Sequence, residues 1–126
     1  MTMTTIIILT LALYVVQLFL QETSRLGLGL KNLLGNRDAL PEHTVVSARL
    51  DRAKNNMMEA LPIFLGLALL ALVKNGDSSA ANSGALVFLI ARVLYIPAYA
   101  SSIRAVRSIL WLAGMIGLVM MAVSLI

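Results

Sequence analysis

Four residues, Arg49, Arg52, Asn56 and Glu59, are spaced i, i+3, i+7 and i+10, which on a helix gathers them within about 80° of one another. Such a stripe offers guanidinium forks, a carboxamide and a carboxylate to one partner, and the forks suit carboxylates and phosphates. The pattern recurs at Arg92, Tyr95 and Tyr99, spaced i, i+3 and i+7, and again at Arg104, Arg107, Ser108 and Trp111. Three helices are therefore expected to converge polar faces at one membrane depth. Arg25, Arg49, Arg52, Arg92, Arg104 and Arg107 outnumber the nearby acids Glu22, Asp51 and Glu59, leaving guanidinium groups to spare for a small polyanionic ligand. Arg92 is the most informative of them, because an arginine within a span costs roughly 2.5–3.5 kcal/mol on insertion scales and faces a partner or a wet cavity. Glu59 is its expected carboxylate. The bland alternative is that these charges pair with one another and with lipid phosphates, stitching the bundle together.

Several chemistries are excluded at once. The chain has no cysteine, so it forms no disulfide, offers no thiolate to a metal and has no thiol nucleophile of its own. Any thiol chemistry must arrive with a ligand. One histidine, His43, and six acids argue against a transition-metal site. His43 reads as a solvated loop residue, Lys74 and Asp77 as a solvated turn, and the seven methionines, with Tyr14 and Trp111, as packing or lipid-facing groups. The net charge of +4 lies between apolar runs rather than on one polar face, which points to a membrane surface or anionic ligands and away from nucleic acid.

The elements that must position these residues are membrane spans. Of the 126 residues, 60% are hydrophobic and 13% charged, and the mean hydropathy is +0.90. Soluble domains run at about 25% charged, so a soluble globule is ruled out. With about 20 residues per span, one four-span domain fills the chain. The first span, about residues 5–21, is the run Ile6 to Leu20; it lacks a basic lead and a small-x-small cleavage site and is expected to be retained rather than removed as a signal peptide. The second, 57–73, extends Leu61 to Val73 through Met57 and Met58 and belongs to a helix beginning near Thr44 that projects beyond the hydrocarbon. The third, 84–100, contains Arg92 and Pro97, and the fourth, 108–126, has no charge and carries Gly114 and Gly117, which permit close helix approach. Residues 24–44, with Gly27, Gly29, Gly35, Asn36, Asp38 and Pro41, have the turn chemistry of a loop. Lys and Arg concentrate in the first and third connections, which makes these cytoplasmic and both termini outward.

The run Arg52-Ala53-Lys54-Asn55-Asn56-Met57-Met58-Glu59-Ala60-Leu61-Pro62 closely resembles the R-A-x-x-N-x-x-E-x-x-P signature of the MAPEG family, the membrane-associated proteins in eicosanoid and glutathione metabolism. Arg92-Val93-Leu94-Tyr95-Ile96-Pro97-Ala98-Tyr99 is similar to that family's third-helix R-x-x-Y-x-x-x-Y pattern, Arg107-Ser108 to the pair opening its fourth helix, and Gly35-Asn36 to the loop of its bacterial branch. The resemblance covers nearly the whole chain. It implies an all-α integral membrane protein, a four-helix bundle assembled as a homotrimer, binding glutathione between subunits near the cytoplasmic face. By the same resemblance Arg52, Asn56 and Glu59 hold the polar ends of the tripeptide, with Tyr95 and Tyr99 from the third helix and Arg107 and Ser108 nearest the sulfur; Arg49 and Arg92, from the charged stripes, are expected to join the binding set, and Arg107, Tyr99 and Ser108 are the expected catalytic residues. Position 55 departs from the pattern: it is Asn where the prostaglandin-synthase branch has a further arginine.

Two functions are consistent with this reading. The first is a glutathione-dependent transferase or peroxidase of the bacterial inner membrane, acting on lipophilic electrophiles from the bilayer through an arginine-stabilised thiolate. The second is a non-enzymatic small-molecule binder or a small multidrug-type transporter, which needs an essential carboxylate inside a span. Spans one, three and four contain no acid, and Glu59 sits among arginines.

Overall fold

The computed structural model describes residues 1–26, 45–75, 78–101 and 103–126. They form four helices: α1 (Met3–Leu26), α2 (Val45–Asn75), α3 (Ser79–Ala100) and α4 (Arg104–Ser124). All four are long and apolar enough to cross a membrane. The hydroxyl of Thr2 accepts a hydrogen bond from the Thr5 backbone N–H at 3.2 Å and starts α1 in the manner of an N-cap. α1 continues to Leu26, so residues 24–26, expected in the loop, are helical. The rest of that segment, with Gly35, Asn36 and His43, lies outside the described residues, as does Asp77. At 31 residues, α2 is about 46 Å long against ~30 Å of hydrocarbon.

Buried apolar residues on α2 fall at Ala53, Met57, Ala60, Phe64, Ala68 and Ala71, a single stripe of three- and four-residue steps. Alanine at four of those places lets neighbouring helices come close without a clash. α1 turns Met3, Ile6, Thr10, Gln17 and Gln21 inward, and the Thr10 hydroxyl donates to its own helix at Ile6 O, 2.7 Å away. Phe64 of α2 and Phe88 of α3 stack with ring centres 4.8 Å apart. The outward faces carry exposed Ile8, Leu69, Ile90, Ile109 and Val119, as a lipid environment requires.

α3 and α4 share the broadest contact in the bundle, and glycine makes it possible. A Cβ placed on Gly84 would lie 2.7 Å from Gly117 O, and one on Gly117 would lie 2.7 Å from Gly84 O. The two backbones thus meet directly. Gly114 is different, since an added Cβ would meet only ordinary contacts, the nearest being Arg92 Nε at 3.6 Å.

One expectation from sequence is corrected here. Lys74 is exposed but is helical rather than part of a turn: it lies in the last turn of α2 and its Nζ donates to Leu125 O, the C-cap of α4. A cation at that place meets carbonyls that the helix end leaves without partners.

Candidate functional site

α2 and α3 run in opposite directions, as do α3 and α4, so their polar rows lie level. Along α2 the row is Arg52, Asn56 and Glu59; along α3 it is Tyr99, Tyr95 and Arg92; along α4 it is Arg107, Trp111 and Gly114. The outermost level is a rim built on one aromatic ring. The Arg107 guanidinium carbon lies 4.7 Å from the Tyr99 ring centre and that of Arg52 lies 5.9 Å away. Both are within the range of a cation–π attraction. Tyr95 meets Tyr99 with ring centres 5.5 Å apart and planes tilted by 59°.

Among the described residues, carboxylates do not neutralise this rim. Asp51 takes Lys54 at 3.1 Å and accepts a hydrogen bond from Asn55 at 3.5 Å, serving the surface of its own helix. Among the described residues neither Arg52 nor Arg107 has a carboxylate within ion-pair distance. Arg49 is partly committed: its Nη1 donates to Ala100 O at 3.1 Å, closing the last turn of α3 where carbonyls lack helical partners. Ser108 is exposed at the start of the second turn of α4. No side-chain contact joins it to the ring cluster among the described residues.

One level deeper, Arg92 is 3% exposed. Its Nη1 donates to Asn56 Oδ1, and its guanidinium carbon lies 5.4 Å from the Phe88 ring centre and 5.3 Å from that of Tyr95. Nε and Nη2 have no acceptor among the described residues. The expected pairing with Glu59 is not formed. Glu59 is exposed and lines the same cavity of about 180 Å³ as Arg92, Asn56, Ile63, Trp111 and Met115, yet no ion pair joins it to the arginine. The neutral Asn56 amide reaches Arg92 at a smaller desolvation cost than a carboxylate would.

Phe88 and Gly114 escaped the reading from sequence as site participants, and Trp111, placed on the fourth-helix face, was read there as a packing or lipid-facing group. Their signal was present as helical spacing, since Phe88 precedes Arg92 by four, and Trp111 and Gly114 follow Arg107 by four and seven. A larger cavity of about 470 Å³ lies elsewhere, between Ala80 and Ser83 of α3 and Ile116, Val119 and Val123 of α4. It holds no titratable side chain.

The four apolar helices and the cationic face shared by α2, α3 and α4 define an integral, multi-pass membrane protein whose polar chemistry is concentrated at one end of the bundle. A model of the MAPEG family matches residues 1–126, the whole chain; the chain belongs to the MAPEG family, a four-helix membrane family associated with glutathione-dependent transfer and peroxidation. No curated protein and no solved structure gives a match.

Proposed function

We propose that this protein is a membrane-bound glutathione-dependent transferase or peroxidase acting on lipophilic electrophiles. One observation carries the reading: Arg52 and Arg107, from different helices and without a carboxylate among the described residues, share the ring of Tyr99. Two guanidinium groups held 4.7 and 5.9 Å from one ring centre suit a ligand with more than one negative group. Glutathione is such a substrate, with two carboxylates, an ammonium and a thiol. Its thiol supplies the nucleophile that a chain without cysteine lacks.

The residues present fit that substrate in kind. Arg49 and Arg52 take carboxylates, Glu59 takes the ammonium, and Asn56 and Tyr95 add hydrogen bonds. Arg92 acts through Asn56, whose carboxamide oxygen it holds. Arg107 favours the sulfur anion by its charge, with the Tyr99 and Ser108 hydroxyls as neighbouring donors, because a guanidinium beside a thiol lowers the cost of ionising it. The lipophilic substrate arrives from the bilayer and the polar product leaves to water. The assembly is a homotrimer in a bacterial inner membrane, with glutathione between neighbouring subunits, the arginine rim cytoplasmic and both termini outward.

Calorimetry of glutathione with detergent-purified protein tests this directly, comparing wild type with Arg52→Ala. Saturable binding that is lost in the variant supports the assignment. Folded wild-type protein that takes up no glutathione at millimolar concentration overturns it.

A further inference from the structure

We propose that the groove between α3 and α4, at the end of the bundle opposite the arginine rim, binds one phospholipid with an anionic headgroup, its acyl chain along the groove and its phosphate at Lys74. The groove follows from residue sizes on two neighbouring helices. Direct backbone contact of Gly84 with Gly117 holds α3 and α4 together; beside it small Ala80 and Ser83 form one bank, and branched Ile116, Val119 and Val123 form the other. These five side chains are exposed, and the space between the banks measures about 470 Å³. From Ser124 to Ile116 the groove follows α4 inward for about 12 Å. One leaflet contributes ~15 Å of hydrocarbon, half of the bilayer core, so a single acyl chain matches the groove in direction and length.

Two observations favour a lipid over a neighbouring helix. Helices in a membrane associate through small residues and hydrogen bonds across the contact, and the hydroxyls of this groove are spent within their own helices. Ser83 Oγ donates to Ser79 O at 2.8 Å, and Ser124 Oγ donates to Met121 O at 2.7 Å. The second observation is charge. Lys74 is the one charged side chain among the described residues at this end of the bundle, and its Nζ donates to Leu125 O, the residue after Ser124 of the groove wall. An ammonium that serves one carbonyl keeps two further N–H donors and its charge. No carboxylate among the described residues lies within ion-pair distance of it. A phosphate at the headgroup level thus finds an exposed cation where the groove begins, and the chain below it finds only apolar wall.

Native mass spectrometry of the full chain in detergent tests the site, with phosphatidylglycerol or phosphatidylcholine of identical acyl chains titrated in. One retained lipid per chain is expected, with phosphatidylglycerol held about fivefold more tightly, the worth of one cation at a charged surface. Lys74→Gln keeps a donor for Leu125 O but not the charge, and should level the two lipids. Ala80→Phe, at an exposed position, fills the groove and should abolish retention of both. Equal retention of the two lipids by the wild-type protein overturns the site, and this arm needs no variant to fold. Unchanged phosphatidylglycerol retention in folded Ala80→Phe also overturns it. If that variant instead loses subunit association while still holding the lipid, the groove belongs to a second copy of the chain and the proposal falls.

Discussion

The guanidinium carbon of Arg107 on α4 lies 4.7 Å from the ring centre of Tyr99 on α3. Arg52 of α2 approaches the same ring at 5.9 Å, so one aromatic side chain locates two cations from different helices. Its face, rather than its hydroxyl, makes both contacts. Tyr99→Phe, which gives up the donor hydroxyl but keeps the face, is therefore expected to lose less of the glutathione conjugation rate than Tyr99→Leu, which loses about a further tenfold, the scale of a partly desolvated cation–π contact. Steady-state rates with a chromogenic electrophile decide the matter. Equal losses in both variants would show that the hydroxyl is what counts.

Arg107 and Glu59 should separate in kinetics. Arg107→Ala is expected to reduce kcat by roughly 10²–10³, as removal of a transition-state charge stabiliser does, with little change in glutathione affinity. Glu59→Ala should mainly weaken binding of the tripeptide's ammonium end. Calorimetry and kcat measured on the same preparations test the split, and negligible effects from both variants would sink the site assignment.

The helix crossing of α3 and α4 depends on the absence of two side chains. Gly117→Ala puts a methyl 2.7 Å from Gly84 O and 2.8 Å from Phe88 N, both rigid backbone atoms, so the helices must move apart. Loss of packing on that scale costs about 1–3 kcal/mol. Gly66→Ala meets nothing within 4 Å and should be neutral or stabilise α2 by roughly 0.5–1 kcal/mol. Thermal unfolding in detergent is expected to order the proteins as Gly66→Ala, wild type, Gly117→Ala, from highest to lowest midpoint.

Asn56 is the one protein acceptor that Arg92 has among the described residues. Asn56→Leu leaves a third edge of a buried guanidinium unmatched and is expected to destabilise the protein by about 1.5–3 kcal/mol. Asn56→Asp supplies a carboxylate at the same reach and should retain far more of the stability. Midpoints that are the same in Asn56→Leu and wild type would mean that the bond contributes nothing.

Much of this protein is legible one helix at a time. Four apolar runs must become helices in a bilayer because only internal hydrogen bonding satisfies the backbone there, and that demand is local to each run. The rows Arg52, Asn56 and Glu59, or Arg92, Tyr95 and Tyr99, follow from the 3.6-residue period alone. The family signature is likewise carried by spacing within single helices. Sequence therefore determined the architecture and which side chains share a face.

Partnership between faces was decided by the tertiary structure. Arg92 meets Asn56 rather than Glu59, Gly117 meets Gly84, and Lys74 reaches Leu125 across 51 residues of chain. Each depends on how far one helix is rotated and slid against the next. A rotation or shift by one residue exchanges Asn56 for a neighbour, and nothing within α2 or α3 alone selects the register. It is set by the stripe of alanines on α2 and the glycine crossing of α3 with α4, where packing at van der Waals distance allows one fit.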